Sequence, residues 1–173
     1  MKRSILSLSV LTLAAVAMPA FAGSANTTFK VSANVVADCT ISASDLTFGN
    51  YDPVGTNNTT GSDVYANGSL TVACTKGAPN VWIGLDSGAN AANAVATTRA
   101  MSAAGGNYLS YDLYTANPSP TPGTVWGNTQ LTGKSYVPAS KAPATLTVFG
   151  RAPKGQDVAT GSYSDTITAT VNY

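Results

Sequence analysis

The side chains that ordinarily carry chemistry are scarce in this 173-residue chain. It has no His. Its acidic residues are all Asp, at 38, 45, 52, 63, 86, 112, 157 and 165, and Glu is absent. Catalysis near neutral pH needs a proton-exchanging group or an activated nucleophile. Two Asp could meet in space as a carboxylate pair, but nothing in their spacing demands it. Most sit beside Gly, Asn or Ser, where Asp shapes turns. No nucleophile–base pair can be assembled, so the reading is a protein that is not an enzyme and needs no cofactor. Asp52 to Asp63, "DPVGTNNTTGSD", offers oxygen ligands of the kind calcium takes. It matches no EF-hand or nonapeptide pattern, and a solvated loop is the plainer reading.

Cys39 and Cys74 are the two remaining reactive groups. Without His or a CxxC spacing, metal or redox chemistry has no support. In an oxidising compartment an even pair reads as one disulfide, and closing so long a loop would stabilise by about 4 kcal/mol. The start of the chain points to that compartment. Lys2 and Arg3 precede an apolar run from Ile5 to Ala17, and Ala20-Phe21-Ala22 has the small-x-small form of a cleavage site. Residues 1–22 therefore read as a secretory signal peptide, the apolar run being short for a membrane anchor. Nine basic residues face eight acidic ones, and Lys2 and Arg3 leave with the leader. No basic patch for nucleic acid is visible.

The elements that would position these residues are strands. Charged residues are sparse while Thr, Ser, Asn, Ala and Gly abound, which suits sheet surfaces rather than helix faces. "TFKVSANVVA" alternates, with Phe29, Val31, Ala33 and Val35 on one side and Lys30, Ser32 and Asn34 on the other. "CTIS" and "LTFGNY" read as short strands, and Asn67-Gly68 as a turn into "SLTVACT". "NVWIGLDSG" places Val81, Ile83 and Leu85 inward and Trp82 opposite. The Ala-rich stretch from Asn90 to Ala104 reads as a loop with a short strand. "NYLSYDLYT" alternates through Leu109, Tyr111 and Leu113, "NPSPTPG" is excluded from a central strand, and "TVWG" reads as a brief edge strand. "ATLTVFGRA" is a further strand. Asn26, Asn57, Asn58 and Asn67 fall in N-x-S/T sequons, which Thr/Asn-rich loops also produce by chance. The pattern predicts an all-β sandwich of immunoglobulin-like type.

The last stretch, "GSYSDTITATVNY", puts Tyr163, Asp165, Ile167, Ala169, Val171 and Tyr173 on one face and hydroxyl or amide residues on the other. A strong terminal strand implies an edge that something must cover. The alternating segment at residues 28–36 is the spare strand. Only Val36, Ala37 and Asp38 separate it from Cys39, a reach of at most about 11 Å, hard to reconcile with crossing to the far edge of its own domain. Donation to another copy has no such limit and would give a head-to-tail filament. Periodicity alone does not reveal a pairing partner, so an ordinary first strand of a closed sandwich stays open.

Several short stretches resemble one family in order: Cys39-Thr40-Ile41, "LTFGNYD", "LTVACTKG", "LSYDLY", "VWG", "VFGRAPKGQ" and the terminal "YSDT-I-x-x-x-V-x-Y". Together they resemble the spore coat protein U domain family and, within it, the subunits of archaic (Csu-type) chaperone–usher pili. That resemblance implies an incomplete immunoglobulin-like β-sandwich completed by donor-strand exchange. It implies residues 23–37 as the donor segment, with Phe29, Val31, Ala33 and Val35 inward, and residues 38–173 as the pilin domain, with Tyr163, Asp165, Ile167, Ala169, Val171 and Tyr173 along the acceptor edge. The partners implied are identical or related pilin subunits, a periplasmic chaperone and an outer-membrane usher. The place implied is the cell-surface pilus, serving adhesion and biofilm formation. Some family members are spore coat components. The competing reading is a secreted monomeric carbohydrate- or surface-binding sandwich that uses Trp82, Trp126 and exposed Tyr.

Overall fold

The computed structural model describes residues 22–173, so the leader expected at residues 1–22 lies, apart from Ala22, outside the described residues. Two compact units divide the chain, residues 1–34 and 35–173. The second is built from eight strands, and a single 3-10 turn at Ala91–Asn93 is the one helical element among the described residues. In chain order the strands are β1 (Cys39–Ser44), β2 (Val64–Cys74), β3 (Trp82–Leu85), β4 (Arg99–Ala103), β5 (Asn107–Tyr114), β6 (Lys134–Ser135), β7 (Ala144–Ala152) and β8 (Ala169–Asn172). They form a five-stranded sheet, β1-β2-β7-β5-β4, and a three-stranded sheet, β6-β3-β8. Every strand pairing is antiparallel. The fold is the expected all-β sandwich.

Alternation decides which side chains meet between the sheets. On β2, Leu70, Val72 and Cys74 are buried, as Val148 and Ala152 are on β7. Ile83 and Leu85 on β3, with Val81 just before it, belong to the same core and are at most 2% exposed. β5 departs from simple alternation, because everything from Leu109 to Tyr114 is buried. Its polar outer side chains are bonded instead of solvated: Asp112 accepts from the Thr98 N–H at 2.8 Å and the Ser110 hydroxyl from the Val95 N–H at 2.9 Å, while the Ser110 backbone N–H and carbonyl bond the Gln156 side-chain amide at 2.7 and 2.9 Å. The "GRAPKGQ" stretch also latches the Asp52–Asp63 loop. Arg151 pairs with Asp63 at 2.5 Å, and Lys154 donates to the Gly61 carbonyl at 2.8 Å.

Several expectations are corrected. "LTFGNY" forms no strand; residues 45–51 are loop, with Leu46 and Phe48 packed over Gly68 of β2 and Gly150 of β7. Asn67-Gly68 lies inside β2 rather than at a turn, with Asn67 opposite Phe149. "TVWG" contributes only an isolated bridge, Tyr114 to Val125, and Trp126 is fully buried with its indole N–H donating to the Ile83 carbonyl at 2.8 Å. A buried Trp126 cannot serve as a sugar platform. Asn57 is also buried, its amide bridging the Asp52 N–H and the Ser62 carbonyl, so it is no glycosylation acceptor. The terminal strand is shorter than the alternation suggested: β8 begins at Ala169, and before it only Ser164 pairs, with Ser102 of β4. The reason is a change of sheet. Ser164 bonds the edge of the larger sheet, whereas Ala169 to Asn172 pair with β3 of the smaller one, and one unbroken ladder cannot do both.

The Cys39–Cys74 disulfide is present, joining β1 to β2 across 35 residues with Cα atoms 4.1 Å apart. Thr75 N–H donates to the Asp38 carbonyl, so residues 38 and 75 are a hydrogen-bonded pair. The cysteines next to them form a non-hydrogen-bonded pair, where opposed side chains come closest. Replacing both cysteines by Ala is expected to lower the unfolding free energy by about 4 kcal/mol, read from urea unfolding curves fitted with a separate m for each protein because losing the cross-link also expands the unfolded chain.

Candidate functional site: an open groove between two sheet edges

β1 and β8 are outer strands, each with a partner on one side only. Since Asp86 N–H donates to the Thr168 carbonyl, the two-residue repeat turns Thr170 and Asn172 toward β3. It turns the backbone groups of Ala169 and Val171 away. By the same count on β1, Thr40 and Ser42 face β2 while Ile41 and Ala43 present free N–H and C=O groups. The two strands come together at one end, where the Tyr173 hydroxyl lies 3.4 Å from the Asp38 carboxylate. At the other end they part, and a groove of about 920 Å³ opens between them.

One wall of the groove is residues 43–51, and the other is residues 158–165 with Ile167 and Ala169. Its floor is apolar, made by Leu70, Leu85, Leu109, Leu113 and Val148 together with the Tyr111 ring. Phe48 packs edge-on to Tyr111 with ring centroids 5.8 Å apart. The inward residues of the terminal segment, Tyr163, Asp165, Ile167, Ala169 and Val171, are only half-buried, whereas Ser164, Thr166, Thr168 and Thr170 are exposed. The alternation read from the sequence is thus real, but its apolar face is half covered. Four of the six expected acceptor residues, Tyr163, Asp165, Ile167 and Ala169, line the groove. Val171 packs against the core past the groove's end, and Tyr173 is 55% exposed.

Asp165, the acid on an otherwise apolar face, has a structural account. Its carboxylate accepts from the Tyr111 hydroxyl at 2.8 Å, the Ala89 N–H at 3.1 Å and the Thr166 N–H at 2.9 Å. Burial and this bond push the Tyr111 phenol well above its ordinary range. Gly88 makes room for the carboxylate: its φ is +72°, and a Cβ there would collide with Asp165. Beside it, burial opposes ionisation of Asp86, but bonds from Thr168 and from the Gly88 N–H outweigh this and hold its carboxyl below the usual 3.8. Arg99 closes this end of the sandwich from inside. It is 1% exposed and donates to the carbonyls of Asp86 and Trp126 at 2.7 and 2.6 Å, tying β4 to the chain after β3.

Phe29, Val31 and Val35 are 85, 83 and 81% exposed, Ala33 is exposed, and residues 22–38 form no strand. Among the described residues no group of three or more His, Cys, Asp or Glu is placed to hold a metal ion. The Asp52 carboxylate is engaged by the N–H groups of Val54 and Gly55 as a turn former. The groove offers apolar side-chain room flanked by free backbone donors and acceptors, which is chemistry for receiving an extended strand. Reading the sequence missed the 43–51 wall, because Leu46 and Phe48 alternate like a strand. It also missed residues 158–162, which carry no apolar period. The lone Asp165 on an apolar face was the available signal for the polar knot.

Fold and groove together define an open-edged antiparallel β-sandwich. The chain matches the Spore Coat Protein U domain model over residues 25–170, and it belongs to that family. It is 37% identical over 162 residues to Protein U of Myxococcus xanthus, covering 90% of this chain and 88% of that protein. There is also a likeness to the crystal structure of the CsuC–CsuE chaperone–tip adhesion subunit pre-assembly complex from archaic chaperone–usher Csu pili of Acinetobacter baumannii. That match has a TM-score of 0.47 and 23% identity, and covers 80% of this chain and 40% of that one.

A depressed folded-state carboxyl contributes stability that is complete above its unfolded value and disappears as pH falls through the folded one. Asp86 is therefore expected to stabilise the fold above its ordinary 3.8 and to lose that effect below it. Urea midpoints measured from about pH 6 to 2 should fall less steeply on the acid side for Asp86→Asn than for the unaltered chain.

Proposed function

We propose that the protein is a structural subunit of a surface fibre, a chaperone–usher-type pilus or fimbria, polymerising by donor-strand exchange. Residues 28–36 of one copy would enter the groove of the next, with Phe29, Val31, Ala33 and Val35 inward. The observation that carries this reading is a pairing of opposites: an alternating apolar segment left exposed, and an apolar groove left open between two unpaired edges. Burying Phe29, Val31 and Val35 would contribute on the order of 5–9 kcal/mol, at 1.5–3 per side chain. Register would be fixed by alternation, since a one-residue slip puts Lys30 and Ser32 into the groove.

The same logic asks for a periplasmic chaperone to cover the groove after export and an outer-membrane usher to exchange that cover for the next subunit. The fibre would serve adhesion and biofilm formation at the cell surface. No catalytic role enters this reading. A coat component is a second reading, favoured by the family's description and by the likeness to Protein U. It shares the assembly chemistry and differs in location, so gold-labelled antibody should mark filaments in the first case and the coat layer of a resting cell in the second.

Two measurements test the assembly. Residues 24–37 appended after Tyr173 through a flexible linker should convert an aggregating or oligomerising subunit into a stable monomer by size exclusion. Val31→Asp should leave the subunit's thermal unfolding within a few degrees of the unaltered chain but abolish fibres, because the charge would be buried unpaired in a neighbour. Fibres from the Val31→Asp protein would show that residues 28–36 are not the donor.

A further inference from the structure

Leu46 and Phe48 sit between the five-stranded sheet and the groove. Both line the groove, and beneath them β2 and β7 carry glycines at inward positions, Gly68 and Gly150. A Cβ on Gly150 would lie 2.9 Å from Leu46 Cδ1 and 2.9 Å from Phe48 Cζ, well inside contact distance. Those atoms are the far ends of flexible side chains rather than backbone. A methyl group there would therefore be accommodated by lifting Leu46 and Phe48 toward the groove they line. Gly68 is less permissive, since its Cβ would also meet the Ser44 carbonyl oxygen at 3.2 Å.

We infer that Gly150, acting through Leu46 and Phe48, sets the depth of the groove and so selects the side chain admitted there. On this inference the shelf these two residues make is where the groove is shallowest. Of the four inward residues of the incoming strand, Phe29, Val31, Ala33 and Val35, only Ala33 is small. Ala33 of a second copy is the residue that fits over the shelf. Gly150 is a positioning residue, and the inference rests on the donor-strand reading above.

The test is capture of a fluorescein-labelled synthetic peptide of residues 24–37 by the full exported chain carrying Val31→Asp, which keeps its own donor segment out of the grooves of other copies and is the otherwise unaltered background for every variant below, followed by anisotropy. A second peptide carries Ala33→Leu. The unaltered chain should prefer the native peptide about tenfold or more, the usual scale for overpacking. Gly150→Ala should weaken capture of the native peptide by a similar factor, and adding Leu46→Ala to it should restore capture. Leu46→Ala alone, which opens the shelf without touching a glycine and so covers the case in which Gly150→Ala does not fold, should reverse the preference toward the Ala33→Leu peptide. The same preference in the unaltered and Leu46→Ala chains overturns the inference while leaving donor-strand capture intact. No capture of the native peptide by the unaltered chain overturns the donor-strand reading and this inference with it.

Discussion

A sheet edge lined by apolar side chains has to satisfy its backbone groups with something other than water once those side chains are covered. In this protein β1 and β8 are such edges, and the groove lies between them. The core packs well where β2, β7 and β5 face β3, and the floor of the groove is the continuation of that core. The half-buried state of Ile167 and Ala169 follows from geometry. They point inward, but no strand stands opposite to finish their burial. This is the gap that the proposed donor strand would fill.

Elsewhere in the fold, polar side chains stand in for strands that are absent. β5 pairs with β7 only through Asp112, Leu113 and Tyr114. Where β7 leaves, the Gln156 amide bonds both the N–H and the carbonyl of Ser110, as a strand residue would. Tyr51 fixes that substitute by donating to the Pro153 carbonyl at 2.8 Å and accepting from the Gln156 N–H at 3.0 Å. Arg99 does the same between sheets, collecting carbonyls at the end of β3. Each repair is local and complete. The groove carries no repair of this kind, which sets it apart from the other irregular places in the fold.

Period two made most of this architecture legible. The inward sets on β2 and β3, the core side chains Leu109, Tyr111 and Leu113 of β5 and the pairing of the two cysteines follow from alternation and compartment alone. What alternation could not give was the sheet to which a strand belongs. Residues 163–173 keep one alternation throughout but change partners at Asp165, because the Tyr111 hydroxyl and the loop after Asp86 hold that carboxylate in place. Leu46 and Phe48 read as strand residues and act as a wall, because the glycines beneath them give room for side chains without offering a pairing edge. Trp126 was read as an edge aromatic. It lies in the core with its indole N–H satisfied by the Ile83 carbonyl, a long-range contact that no local pattern encodes.

The stretch joining the exposed segment to the body narrows the choice between pairing within a molecule and pairing between molecules. Val36, Ala37 and Asp38 span at most about 11 Å when extended. They are also held. Thr75 accepts from the Asp38 N–H at 3.1 Å, donates to the Val36 carbonyl at 3.2 Å, and its own N–H bonds the Asp38 carbonyl at 2.8 Å. The next residue is locked to Cys74 by the disulfide. A chain returning to its own groove would have to reverse within three residues that Thr75 already fixes, and would forfeit those bonds. Entering a second copy costs none of them. The anchoring that stiffens this junction therefore favours donation to a neighbour over self-closure, without any property of the groove itself being invoked.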